Sequence, residues 1–475
     1  MLIYSPHSTW AQALPELSDS AALVLNAEQE KMLGKQVMLN VRARSTLSDD
    51  TLLHEYLNAL TAKLSQHSPR DFGQISLQLA IDPNINAFAV PGGYITINSG
   101  LIKHANSEDE LAAVIAHEIG HHSQRHISRM IERQKQLSLP ATAALLGGLI
   151  VGGQVGTAAV LSAQAALGAD QLSYSRQFEI EADASGMAIL TSANYPAKAM
   201  PAFFSQLEKQ SQLYGGISPE FLRTHPVSSD RIADAHDRAK RLSTPQENPA
   251  PLNAQLDFAH AKARSLALYG EPLSDVIAQF ELAAAAPEAH IASQYGLMLV
   301  RMRKGELKQA RAVLDQLLMN TGAPPIAHAL YELELAQLSL KQGKLKQALD
   351  LFASLYSQDK NQLAAIQGYA LSLIQNQDFA RASRILRKAL RHHPDTVWLY
   401  TLLGQSYGAQ NKTLNALLIK TQQMQHLGQY EQALTRLKQS KQSVHADDSL
   451  YLQESISALT LELTEQQQQL KAFKL

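Results

Sequence analysis

The 475-residue chain contains no cysteine. No disulfide can form, and a two-histidine zinc site would have to be completed by Glu, Asp or a third His. The same absence suits a reducing cytosol and a disulfide-free secreted protein equally, so it does not fix the compartment. Neither sign of charge is in excess, since 42 basic side chains face 43 acidic ones. With that balance and no basic run, nothing points to nucleic acid as a partner. The N-terminal stretch Met1 to Trp10 lacks a positive start and an apolar core, yet Ala11-Gln12-Ala13 has the small-x-small form of a signal-peptidase site. Residues 1–13 are expected to be the remnant of a signal peptide, with the mature chain starting near Leu14. An ordinary frayed terminus is the other reading.

The chain does carry His117-Glu118-Ile119-Gly120-His121. Leu111, Val114, Ile115 and Ile119 recur at three- and four-residue steps, which predicts a helix with a buried stripe. Four residues advance a helix by about 400°, so His117 and His121 share a face and can hold one Zn²⁺ ion. Glu118 is turned about 100° from His117, a position suited to the general base of a metal-activated hydrolysis. HExxH also occurs by chance, but two histidines in an apolar helix are costly core residues without a partner. His122 and His126 point about 140° and 180° away from His117 and are expected to be packing or surface residues.

Before this helix, residues 26–45 and 49–66 read as two amphipathic helices, with Asn26 and Asp49 as N-caps. Ile75 to Ile81 alternates like a strand. Asn84 to Leu101 reads as a strand, a turn at Pro91-Gly92-Gly93, and a strand over Tyr94 to Asn98. The segment Asn86, Ala87, Phe88, Ala89, Val90 is a candidate substrate-binding strand, because an edge beside the zinc helix can accept an extended peptide. After the helix, Gln136 to Ala169 has no charged residue. Its glycines suit two short apolar helices better than a membrane span, giving a cover over the site that could touch membrane or unfolded substrate. In Tyr174 to Leu190, Glu179 and Glu181 cannot both face the metal, whereas Asp183 lies one turn after Glu179 on its face. This favours Glu179 as third ligand and Asp183 as an acceptor behind a ligand histidine. Their setting among Phe178, Ile180 and Met187 predicts burial.

NAFAVPGG, HEIGH and SRQFEIEAD together resemble the gluzincin metallopeptidases of the group that contains the CaaX prenyl protease and the heat-shock protease HtpX. Nearly the whole chain from Leu14 resembles the periplasmic branch that carries C-terminal tetratricopeptide repeats. The resemblance implies one Zn²⁺ per chain on His117, His121 and Glu179, with Glu118 as base and Asp183 orienting. It also points to an active-site role for His225 in His225-Pro226-x-x-x-x-Arg231, on a loop braced by proline. His225 could donate to the developing oxyanion, or take the fourth zinc position and restrain the enzyme. Arg231 could fix the loop or steady the oxyanion.

Beyond a Pro-rich boundary at 246–251, Gly305…Ala310, Gly343…Ala348, Gln377…Ala382 and Asn411…Ala416 repeat a five-residue offset, with Gly428…Ala433 as an irregular further copy. Tyr400, Leu403, Gly404 and Tyr407 match the first helix of a tetratricopeptide repeat. The expected fold is mainly α with a small β-sheet: a gluzincin-type zinc metallopeptidase domain over residues 14–250, then an α-solenoid of repeats over 252–475. The resemblance implies a periplasmic endopeptidase of Gram-negative bacteria. Its clients would be misfolded or stalled outer-membrane β-barrel proteins, with the repeats docking onto the β-barrel assembly machinery. The alternatives are an adaptor or chaperone whose protease is mostly latent, and a membrane-associated prenyl-type protease.

Overall fold

The computed structural model describes residues 25–70, 75–133, 169–213, 220–242, 256–286, 291–320, 325–441 and 450–473. The expected signal remnant at 1–13, the apolar cover from 136 to 168 and the boundary at 246–251 lie outside the described residues. No described helix is long and apolar enough to cross a membrane.

Helix α1 (Ala27–Arg44) starts at Asn26, whose side chain accepts from the Gln29 amide while Gln29 reaches back to the Asn26 amide. Helix α2 (Thr51–Ser65) is capped by Asp50, not Asp49 as expected from sequence. Asp50 has the extended backbone of a cap, and its carboxylate reaches the Leu53 amide three residues on. Strands β1 (Ser76–Ala80), β2 (Ala87–Val90) and β3 (Tyr94–Asn98) form one sheet in the order β1-β3-β2. β1 runs parallel to β3, and β2 runs antiparallel to it with Ala87 opposite Ile97 and Val90 opposite Tyr94. The Pro91-Gly92-Gly93 turn works because both glycines take positive φ, and Gly92 lies against the backbone of Lys31 in α1.

Then come α3 (Ser99–His104), α4 (Glu108–Ser123), α5 (His126–Arg133), α6 (Ala169–Ser192), α7 (Ala199–Leu213), α8 (Glu220–Thr224) and α9 (Ser229–Arg241). Twelve more helices follow among the described residues, from α10 (Phe258–Tyr269) to α21 (Leu450–Phe473). The repeat signal has a conformational cause. Gly305, Gly343, Gln377, Asn411 and Gly428 all adopt positive φ, between 57° and 85°, at the turn between successive helices. Achiral Gly does so freely and Asn more readily than other L-residues, so Gln377 is the exception among the five. Five residues on, Ala310, Ala348, Ala382 and Ala433 are fully buried where the next helix packs, and Ala416 is half-buried.

One hydrophobic core runs from Leu52 of α2 through the sheet and α4 into the repeat helices as far as Tyr407. Polar ties cross between the two parts at several places. Lys262 of α10 donates to the Ala105 carbonyl, the Leu363 amide donates to Glu55, and Arg42 of α1 donates to the His426 carbonyl. The strongest tie is Arg264 of α10, which grips the carboxylate of Asp50 at 2.8 and 2.7 Å and reaches Glu334 at 2.5 Å. The array is therefore seated against the first part along its length.

Candidate metal centre

Ser107 caps α4 by accepting from the Glu110 amide, and Glu108, Asp109 and Glu110 in the first turn suit its positive end. Helix α6 packs against α4 backbone to backbone. A methyl group on Gly120 would stand 2.7 Å from the Ala182 carbonyl oxygen, and one on Gly186 would stand 3.0 Å from the Ala116 oxygen and His117 Cα. These two glycines permit the approach that brings Glu179 and Asp183 to His117 and His121. Of the residues expected to surround the two acids, Phe178 and Met187 are buried, but Ile180 is 39% exposed because it lies on the outer side of α6.

The structure brings His117, His121, Glu179 and His225 together, with one ligand atom of each lying within 4.8 Å of all the others. His117 Nε2 lies 3.0 Å from His121 Nε2 and 3.5 Å from Glu179 Oε2, and His121 Nε2 is 3.4 Å from Glu179 Oε1. His225 Nδ1 is 3.4 Å from His117 Nε2 and 3.1 Å from Glu179 Oε1. A tetrahedral zinc ion with bonds of about 2.0–2.1 Å keeps its ligands about 3.3–3.4 Å apart, so this donor set fits in both chemistry and spacing. The groups behind it are engaged elsewhere. His117 Nδ1 lies 2.9 Å from Asp183 Oδ1, and Arg231 grips Asp183 with two bonds of 2.9 Å. The same guanidinium reaches Glu179 at 3.1 Å and the Pro226 carbonyl at 2.6 Å. The lone pairs left over point at one place.

Glu118 is 1% exposed, and its Oε1 accepts no hydrogen bond among the described residues. The nearest cationic candidate is His225 Nε2, at 3.5 Å. His225 is held by its own amide on the Phe221 carbonyl and by stacking on the Phe221 ring, while the Phe221 amide is tied to the Ile85 carbonyl just before β2. The helical turn that holds His225 is thus tied to Ile85, the residue just before the segment expected to meet substrate. Among the described residues no strand covers the outer edge of β2, and Phe88 and Ala89 are half-buried there, whereas Asn86, Ala87 and Val90 are buried.

The electrostatics are those of a site built for a cation. Burial opposes charge on His117, but Asp183 and Glu179 override it and lift its pKa to about 10. Burial dominates at His121 and depresses it to about 4. Glu179 is held well below the usual carboxylate range, because His225, His121 and His117 outweigh the cost of its burial. Asp183 is also lowered against its burial, by His117 and Arg231. Sequence reasoning missed two neighbours. His126, expected to be a packing or surface residue, is buried against His121, and Glu181, off the ligand face, reaches His126. The spacing of Arg129 and Glu181 gave no sign that they meet.

Residues 49–239 match Peptidase family M48, and residues 339–405 match a tetratricopeptide repeat. The β-barrel assembly-enhancing protease of Escherichia coli is 30% identical over 441 residues, covering 91% of this chain and 88% of that protein. A putative β-barrel assembly-enhancing protease of Vibrio cholerae is 36% identical over 64% of this chain and 63% of its own length. The mitochondrial metalloendopeptidase OMA1 of Arabidopsis thaliana is 34% identical over 150 residues, 32% of this chain and 28% of that protein. With a zinc-type donor set on a HExxH helix and repeats behind it, the chain is a zinc metalloendopeptidase and belongs to the β-barrel assembly-enhancing proteases of Peptidase family M48.

Proposed function

We propose that His117, His121 and Glu179 hold one zinc ion per chain, that Asp183 orients His117, and that Glu118 is the general base of peptide-bond hydrolysis. The convergence of the donor atoms beside the buried, unbonded Glu118 Oε1 carries this reading. A bound zinc ion supplies Lewis acidity, polarising a carbonyl and lowering the pKa of water. Glu118 Oε1 takes a proton from the attacking water and returns it to the leaving amine. Substrate lies along Asn86 to Val90 as an added strand, its backbone bonding to the open β2 edge. Arg231 acts by fixing Asp183, Glu179 and the His225 loop, since its guanidinium is committed to all three.

His225 stands in the fourth position of the donor set, which favours restraint over oxyanion binding. That placement also favours a second reading, in which the protein acts mostly as an adaptor and its protease is latent. The setting we infer is the periplasm of a Gram-negative bacterium, and the clients are misfolded or stalled outer-membrane β-barrel proteins. The repeats dock onto the β-barrel assembly machinery. The names of the relatives and the repeat array support this setting. The test is cleavage of an unfolded β-barrel protein by purified wild-type and Glu118→Gln chains. Cleavage by the wild type alone is expected, and equal cleavage by both would remove Glu118 from the base role.

A further inference from the structure

The two histidines of the donor set are supported differently. His117 has a carboxylate beside it, with Nδ1 2.9 Å from Asp183 Oδ1 in ion-pair contact. Among the described residues, His121 has no carboxylate on its Nδ1. That atom lies 2.9 Å from Nδ1 of His126, whose Nε2 lies 3.2 Å from Glu181 Oε2. Glu181 is in turn held by Arg129 at 2.5 Å and by Gln177 at 3.0 Å. The His126 ring is buried and stacked on Phe178, with centroids 4.4 Å apart and planes 16° apart.

One arrangement of protons satisfies every contact in this chain. A histidine that gives its Nε2 lone pair to a cation keeps its proton on Nδ1. The Nδ1–H of His121 then donates to Nδ1 of His126. His126 must carry its own proton on Nε2, and from there it donates to the Glu181 carboxylate. Reversing any tautomer places two lone pairs or two protons face to face.

The backbone is bent to produce this contact. Arg125, between α4 and α5, has φ of 53°, an unfavourable conformation for a side chain of its kind. Its guanidinium is pinned to Glu30 at 2.9 Å and to the Leu25 carbonyl at 2.6 Å, and Ser128 of α5 also bonds to Glu30. Strain held in place by its surroundings is a feature of functional positions. Here it turns the first residue of α5, His126, back onto the last turn of α4.

We propose that His126 and Glu181 are positioning residues for the metal centre, fixing the tautomer and ring plane of His121 through a histidine-to-carboxylate relay. Partners of this kind raise metal affinity by about 10–100-fold. This inference rests on His121 being a ligand, so the experiment separates the two. Zinc affinity is measured by chelator competition on the full chain for wild type, His121→Ala, His126→Phe, His126→Gln and Glu181→Gln, together with thermal unfolding of each zinc-free protein. Phenylalanine keeps the stack on Phe178 but cannot accept from His121. His126→Phe should bind zinc about 10–100-fold more weakly with zinc-free unfolding unchanged. His126→Gln, whose amide oxygen can accept, should recover part of the loss, and Glu181→Gln should lose several-fold. If His121→Ala loses zinc and neither His126→Phe nor Glu181→Gln does, the relay is overturned while the ligand assignment stands. Undiminished affinity in His121→Ala would overturn both. If His126→Phe lowers the zinc-free unfolding temperature, Glu181→Gln decides: unchanged affinity there reduces His126 to packing.

Discussion

Two of the buried charge clusters among the described residues differ in where their lone pairs point. At the junction of the two parts, Arg264 meets Asp50 on one side and Glu334 on the other, and Tyr295 donates to Glu334. There the donors are aimed at acceptors, and of that cluster's carboxylate oxygens only Glu334 Oε2 is buried without a hydrogen bond among the described residues. At the metal centre, four acceptor-capable side chains converge, while the Arg231 guanidinium stands behind them on Asp183, Glu179 and the Pro226 carbonyl. Burial and charge are common to both clusters. Convergence of potential metal-ligand atoms on one point, with no Lys or Arg of the described residues aimed into it, belongs to the second, and that separates a binding site from a structural clamp.

The largest effect expected at the centre is on chemistry. Glu118→Gln should keep zinc and fold but lower peptide cleavage by about a hundredfold to ten-thousandfold, the scale of losing a positioned general base. Assay of a generic unfolded substrate checks this. The corresponding break at the clamp should spare the metal. Arg264→Met leaves Asp50 and Glu334 facing each other in the core, at a cost of about 3–5 kcal/mol. Denaturant unfolding should show that loss with zinc content unchanged. A zinc loss without a stability loss would erase the distinction between the two clusters.

His225→Ala sharpens the comparison within the centre. If the ring restrains the enzyme, activity rises and self-cleavage appears. If it stabilises an oxyanion, activity falls by about a hundredfold. Unchanged activity would leave His225 a packing residue.

The smallest effect concerns Glu55, which accepts from the Leu363 amide across the junction. Burial lifts its carboxyl to about 7 from an ordinary 4.5. A carboxyl raised on folding contributes its full stability below about 4.5 and loses it as pH rises through about 7. Glu55→Gln keeps the acceptor and cannot ionise. It should raise Tm at pH 8 by a few degrees and leave it unchanged at pH 4.5. The reverse order across those two pH values would contradict the assigned environment.

Features with local causes could be read from the residues. The shared face of His117 and His121, and that of Glu179 and Asp183, follow from helical periodicity, and both pairs meet in the structure. The strands follow from alternation around a Pro-Gly-Gly turn, and the repeat turns from the chirality that favours Gly or Asn at positive φ. Asp49 and Asp50 are adjacent cap candidates in sequence, and the structure gives the cap to Asp50. The remainder required encounters between distant residues. Arg264 and Asp50 are 214 residues apart, and Arg231 and Asp183 are 48 apart. Glu181 looked idle because it misses the ligand face, and its partner His126 lies on another helix.

Metal analysis of the purified chain tests the central assignment most directly, with four proteins side by side: wild type, His117→Ala, Glu179→Ala and Arg264→Met. About one zinc per chain is expected in the wild type and in Arg264→Met, and most of it should be lost from the other two. Full zinc in both His117→Ala and Glu179→Ala would contradict the centre described here.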